Sequence, residues 1–378
     1  MRNNEKNIDR APRVNINERE GMGAARIFDV SVNDPYRDDA FERVSSEVEA
    51  LTAMGYGGAE VSPEEAITRK RTKINRDDAA LKVLISMYPD LSYWLDLVPT
   101  AAALGPLYNP EMTHLPVPGG HAISQGMRDY FRNLADAVGI RSRSEIMRHI
   151  VTEQALHGAG MSRWASLACG AAQPVFDAME DIRNMGGFVP EVTLVDYDKE
   201  ALALVRQEAM RRQLSPRVCT RKMNILRPEG IASPERIGWR EVAVSALRRK
   251  VILPQRGYDV VDAVGLLEYL RPEDWQYRYN RVIRTRQTMA GAVTFLRNAS
   301  ELVKPGGTLL VGNMLDSHPQ LGFTLNVIQW PHIQPRPIDK MLGIMEQAGL
   351  GAWETKVYCP DDGVYALYAL RNTSGDVH

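Results

Sequence analysis

Two short segments, Trp164-Ala-Ser-Leu-Ala-Cys-Gly-Ala-Ala-Gln-Pro174 and Val192-Thr-Leu-Val-Asp-Tyr-Asp198, constrain this chain more than any other feature. The first reads as a brief apolar strand that runs into small residues and then a helix start. Small side chains there let a ligand approach the backbone, and the N–H groups of a first helical turn favour negative charge or polar acceptors. The second reads as a strand that ends in the carboxylate of Asp196. In a doubly wound sheet, a carboxylate at that tip sits where a ribose presents its hydroxyls. Together the two segments point to a nucleoside-containing cofactor.

The loop's composition narrows the choice. A dinucleotide fingerprint asks for three glycines, whereas here Gly170 stands among Ala168, Ala171 and Ala172. Alanine does not adopt positive φ cheaply, and Pro174 is tolerated at a first-turn position because its missing N–H would be unpaired anyway. A loop that closes over an amino-acid moiety needs fewer close contacts than one that cradles a diphosphate. At these residues the chain resembles the class I S-adenosylmethionine-dependent methyltransferases, with Ser166 where the family often has an acid and Ala168 and Ala172 where it has its outer glycines. Leu302-Val-Lys-Pro-Gly-Gly307 resembles a further hallmark of the family, in the right order, and its role is architectural. The resemblance implies S-adenosyl-L-methionine as cofactor, held by Ala168, Cys169, Gly170, Ala171, Asp196, Tyr197, Asn224, Ile225, Val264 and Gly265. Asn224 and Ile225 would lie against the adenine; a turn asparagine after an edge strand is the alternative for Asn224.

Length and charge agree with an enzyme of this kind. The 378 residues, 44 % of them hydrophobic, can bury a large core, and a net charge of −1 gives no global attraction to nucleic acid or an acidic membrane. Cys169, Cys219 and Cys359 lie far apart with no metal spacing, which fits buried thiols in a reducing compartment. The N-terminus is polar, no apolar run approaches bilayer length, and the expected location is cytoplasmic.

Residues 1–25 read as a disordered or loosely attached polar arm. Helical spacing follows from Asp38 to Met54, from Ser62, from Asn75, over Leu91 to Val98, over Ile123 to Ala137 and over Ser144 to Leu156, where Ser144 is taken as the cap. The rest of Pro89 to Gly120 reads as loop. Strands are expected at Trp164–Ala168, Glu191–Asp196, Arg217–Arg221, Tyr258–Val264, Gly307–Met314, Trp353–Cys359 and Val364–Arg371, with helices beginning near Pro174, Asp198, Pro234 to Trp239, Thr288 and Ile338. This alternation implies an α/β, Rossmann-like doubly wound, mostly parallel sheet of seven strands. Pro360-Asp-Asp-Gly363 would close an antiparallel C-terminal hairpin. Residues 1–120 are expected to form the polar arm and a helical accessory or lid region, and residues 121–378 the methyltransferase domain with a helical lead-in.

The reaction itself leaves a fainter trace. Methyl transfer from a sulfonium is an in-line displacement, so positioning supplies most of the rate and a base is needed only for an acceptor that keeps its proton. Glu268 and Tyr269, after the fourth expected strand, are candidates to face cofactor and acceptor together with Asp262. His318 in the following Pro-rich connection is a candidate base, Trp330 a wall and Arg336 a carboxylate clamp. Each has a structural alternative. The spacing of Asn313, Trp330 and Arg336 also resembles bacterial hydroxy fatty acid methyl ester synthases, over the C-terminal third alone. The aromatic and cationic run Trp275, Tyr277, Arg278, Tyr279, Arg281, Arg284, Arg286 reads as a packed helix or lid rather than a nucleic-acid surface, and Arg141, Arg143 and Arg148 as a solvated helix face. The expected function is methyl transfer to an oxygen, nitrogen or carboxylate of a small-molecule metabolite. A non-catalytic cofactor-binding regulator, a nicotinamide-dependent oxidoreductase and an RNA methyltransferase are the alternatives. The N-terminal helices would form a lid or a homodimer contact.

Overall fold

Residues 14–117, 119–157, 161–227, 253, 256–278 and 286–374 are described by the computed structural model. The expected helix near Pro234 to Trp239 lies outside them. The described residues open with β1 (Val14–Met22) and β2 (Ala25–Val32), an antiparallel hairpin turning through Gly23. From residue 14 onward the expected loose arm is therefore an ordered ribbon. Its polarity is that of an exposed edge, where charged side chains such as Glu18 and Arg19 discourage further strand pairing.

Seven helices come next: α1 (Phe41–Gly55), α2 (Pro63–Arg69), α3 (Ala79–Met87), α4 (Leu91–Leu95), α5 (Ala101–Tyr108), α6 (Gln125–Asn133) and α7 (Ala135–His157). Local chemistry sets several of their starts. Ser62 Oγ accepts the Glu65 N–H, Asp78 caps α3 and Ser124 caps α6. Helix α5 occupies part of the stretch expected to be loop. Ser144, expected as a cap, lies inside the 23-residue α7, which begins nine positions earlier at Ala135. There Gly139 lets α7 pass close to the sheet, because a Cβ at that position would meet the Val364 side chain at 2.5 Å.

The remaining elements are β3 (Arg163–Leu167), α8 (Gln173–Asn184), β4 (Glu191–Asp196), α9 (Lys199–Arg211), β5 (Val218–Lys222), β6 (Tyr258–Ala263), β7 (Trp275–Arg278), β8 (Arg286–Met289), α10 (Ala292–Ser300), β9 (Val303–Met314), α11 (Ile338–Gln347), β10 (Glu354–Pro360) and β11 (Tyr365–Arg371). Thr288, expected at a helix start, instead sits in β8, and the aromatic and cationic run forms the two-stranded antiparallel ribbon β7–β8 rather than a helix. Tyr279, Arg281 and Arg284 lie outside the described residues.

The main sheet has nine strands in the order β1-β2-β10-β11-β9-β6-β3-β4-β5, two more than expected. The additions are β1 and β2, the latter pairing parallel to β10. Strands β3, β4, β5, β6 and β9 run parallel, and β11 is antiparallel to both β9 and β10. All six residues of the central β6 are buried, as a parallel strand covered on both faces should be. The chain order reverses between β3 and β6, and at such a point the carboxyl ends of the strands open a crevice. One apolar cluster packs α1 to α6 against residues near that edge, including Met314, Trp330, Val364 and Tyr365. Among the described residues, no helix is long and apolar enough to cross a membrane.

Candidate active site

After β3 the backbone turns through three left-handed residues, Ala168 (φ 52°), Gly170 (φ 53°) and Ala172 (φ 53°). Two of these are alanines in a conformation that strains a residue with a Cβ by about 1 kcal/mol or more. The fold holds them there. Cys169 N–H donates to Val195 O at 3.1 Å and Ala172 N–H to Cys169 O at 2.8 Å, which closes a tight turn before α8. Helix α8 carries no side-chain cap; Pro174 brings no N–H and Val175 N–H donates to Ala172 O at 3.1 Å, which leaves the Gln173 N–H as the first-turn donor for an acceptor.

Asp196 ends β4 beside this turn. One carboxylate oxygen accepts the Gly170 N–H at 2.9 Å and the other the Asp198 N–H at 2.8 Å, while Met223 N–H donates to Asp196 O at 2.9 Å and brings up the end of β5. Each carboxylate oxygen keeps accepting capacity beyond its one bond. Tyr197 is 64 % exposed, Ile225 is buried, and Asn224 Oδ1 accepts the Leu226 N–H at 3.1 Å, the bond of a turn asparagine. The two defining segments are thus joined directly, at the edge where the strand order reverses.

A cavity of about 80 Å³ opens between the Gly170 turn, Val264, Gly265 and α5. Two charged side chains line it: Asp262, expected to face cofactor and acceptor, and Arg143, expected on a solvated helix face. Asp262 lies in β6 at 4 % exposure; its oxygens accept Trp164 Nε1–H at 2.7 Å and Ser166 Oγ–H at 2.9 Å, and burial pushes its pKa up to about 7. Arg143 reaches in from α7. The expected solvated face of Arg141, Arg143 and Arg148 does not exist: Arg141 and Arg143 are buried, and Arg148 pairs with Asp181 at 2.6 Å. A hint was present in the spacing, since helical residues two apart do not share a face.

Arg143 donates to Glu268 Oε1 at 3.1 Å and stacks over the Tyr365 ring at 4.3 Å. Glu268 is buried, its Oε2 has no partner, and burial raises its pKa. Tyr269 OH accepts the Trp330 Nε1–H at 2.8 Å, and burial raises its pKa too. Trp330 packs edge-on against Trp94 in the helical core rather than standing free as a wall. The Arg336 guanidinium is committed within the fold, to Leu267 O at 2.9 Å, Asn313 Oδ1 at 2.7 Å and Leu270 O. His318 is bonded through one ring nitrogen. Its Nδ1 accepts the Gln320 N–H at 2.9 Å, its Nε2 faces Asp136 Oδ1 at 3.4 Å, and it lines a separate groove beside α1 and α2.

No family model and no curated protein matches the sequence. Among solved structures, a possible exported protein from Bordetella parapertussis superposes with a TM-score of 0.52 at 16 % identity, covering 88 % of this chain and 97 % of that one. An O-methyltransferase family protein from Burkholderia thailandensis gives a TM-score of 0.42 at 16 % identity (89 % and 96 % covered). The S-adenosylmethionine-dependent methyltransferase SibL, in its apo form, gives 0.44 at 15 % (88 % and 96 %). Within the sheet, the run β5-β4-β3-β6-β9-β11-β10 with β11 antiparallel is a mostly parallel sheet with one reversed strand near its end. This is the strand arrangement that the resemblance to the class I S-adenosylmethionine-dependent methyltransferases implies.

Proposed function

We propose that the chain is an S-adenosylmethionine-dependent methyltransferase acting on an oxygen, nitrogen or carboxylate of a small-molecule metabolite. The observation that carries this reading is the bond from Gly170 N–H to the Asp196 carboxylate at the reversal point of the sheet. The residues there suit the cofactor: a carboxylate with accepting capacity for ribose hydroxyls, an uncapped helix start, and a turn of small side chains. When bound, the cofactor supplies a methyl group on a sulfonium with a good leaving group. In this reading Asp196 and Tyr197 hold the ribose end, Asn224 and Ile225 flank the base, and Ala168, Cys169, Gly170, Ala171, Val264 and Gly265 line the remainder.

Glu268 is the proposed proton acceptor, because its Oε2 is unpartnered and burial raises its pKa, which favours uptake of a proton. Arg336 acts through it. By bonding the carbonyls of Leu267 and Leu270, it clamps the turn that presents Glu268 and Tyr269. Helix α5 forms the outer wall: Ala101 Cβ lies 3.6 Å from where a Gly170 Cβ would be, and Leu104 and Tyr108 line the cavity. Ligand pockets ordinarily measure about 300–1,000 Å³, so this cavity takes only part of the cofactor, and in this reading the helical region sets acceptor choice. Titration calorimetry with S-adenosylmethionine, followed by transfer of a labelled methyl group to a panel of hydroxyl, amine and carboxylate acceptors, tests the proposal. Absence of cofactor binding refutes it; binding without turnover across the panel favours a non-catalytic regulator.

A further inference from the structure

We propose that Asp262 and Arg143 form a two-ended clamp for the amino-acid end of the cofactor, Asp262 receiving its ammonium and Arg143 its carboxylate. This rests on the function proposed above and names the residues that read the ligand's charge. Both side chains bound one small cavity, together with Gly170 and Gly265, and its size admits only the end of a ligand. Opposite charges on the walls of one cavity match a group that carries both charges.

Asp262 supplies the first half of the argument. Its hydrogen-bond partners, Trp164, Ser166 and the Val264 backbone, are neutral, and among the described residues no lysine or arginine pairs with it. A buried carboxylate without a cation is unfavourable unless it takes up a proton or meets a cationic ligand. Ser166 is the register partner of Asp262 on β3, and its short side chain leaves room for the neighbouring strand's carboxylate at the head of the turn. An acid absent from β3 is thereby supplied by β6. Arg143 supplies the other half. It spends one terminal nitrogen on Glu268 and has Tyr108 beside its guanidinium, while the other terminal nitrogen lies 3.5 Å from the point where a Gly265 Cβ would be, so the missing side chain leaves it on the crevice side. A guanidinium has donors to spare after one such bond.

Calorimetry on the full chain with two ligands isolates the clamp. S-adenosylhomocysteine carries the amino-acid end, and methylthioadenosine shares the adenosine and thioether but lacks it. Asp262→Asn and Arg143→Gln should each weaken S-adenosylhomocysteine roughly ten- to hundredfold while methylthioadenosine changes less than about threefold, the loss expected for one charged hydrogen bond. Unchanged S-adenosylhomocysteine affinity, or equal loss for both ligands, overturns the clamp. Failure of the unsubstituted protein to bind either ligand overturns the function instead. Should a variant not fold, the unsubstituted protein still decides the matter. Its affinity for S-adenosylhomocysteine should fall about tenfold per pH unit below 7 as Asp262 takes up a proton, with methylthioadenosine flat; parallel profiles overturn the clamp.

Discussion

The crevice at the ends of β3, β4 and β6 and the connection from Leu315 to Pro337 are both rich in polar side chains near the same sheet edge, yet they use them differently. In the connection and around it, most hydrogen-bonding capacity is consumed inside the protein: Arg336 bonds three acceptors, Trp330 donates to Tyr269, and His318 Nδ1 accepts from the backbone, though its Nε2, 3.4 Å from Asp136, makes no hydrogen bond. In the crevice, capacity is left over. Asp196 can accept further bonds, Asp262 has no cation, and Arg143 keeps donors facing Gly265. Spare valence distinguishes a site from a scaffold better than residue type does, because a saturated group has nothing to offer a ligand.

The contrast breaks most visibly if Arg336→Met is tolerated. Removing that guanidinium orphans Asn313 Oδ1 and the Leu270 carbonyl in a buried setting, while Leu267 O keeps the Leu270 N–H, so chemical denaturation should show a loss of about 3–5 kcal/mol. A loss below about 1 kcal/mol would mean that the connection is not a scaffold.

Asp262 sharpens the other side through pH. Its folded pKa of about 7 lies above the ordinary 3.8, so the folded state binds a proton that the unfolded state has released between those values. Stability should therefore be full below about pH 4, fall as pH rises towards 7, and level off above it, by at most about 4 kcal/mol from this one group. Asp262→Asn should flatten that slope in thermal melts between pH 4 and 8. An unaltered slope would show that another group dominates it.

Asp196→Ala comes next. It removes the acceptor expected for the ribose and the anchor of the Gly170 N–H, and cofactor affinity in calorimetry should drop by about 2–3 kcal/mol. Unchanged affinity would place the ribose elsewhere. The smallest effect belongs to the strained turn. Ala168→Gly relieves a left-handed alanine and should raise stability by about 0.5–1 kcal/mol, net of glycine's greater freedom in the unfolded chain. A decrease in the melting temperature would show that the alanine is not strained.

Much of the scaffold was legible because its signals are local. The seven expected strands appear within a few residues of their positions, and Ser62 caps α2 as its sequence suggests. The joining of Gly170 to Asp196 followed from the strand ends on which they sit. The misreadings share a cause. Residues 14–32 resemble a polar arm because an exposed edge strand has little apolar surface to display, and its pairing with β10 bridges most of the chain. Arg143 resembles a surface residue because its partner Glu268 lies 125 positions away. The bonds of Asp262 were not legible because only the register of β3 against β6 sets its carboxylate beside Ser166.

By itself the sequence determined the alternation of elements, the turn at Gly170, the carboxylate at the end of β4 and the C-terminal hairpin, since periodicity, turn chemistry and capping act over a few residues. Only the tertiary structure decided which charges are buried, which are already satisfied and which face the crevice. Hydrogen-bond saturation depends on partners brought together across the whole chain, and no local pattern records it.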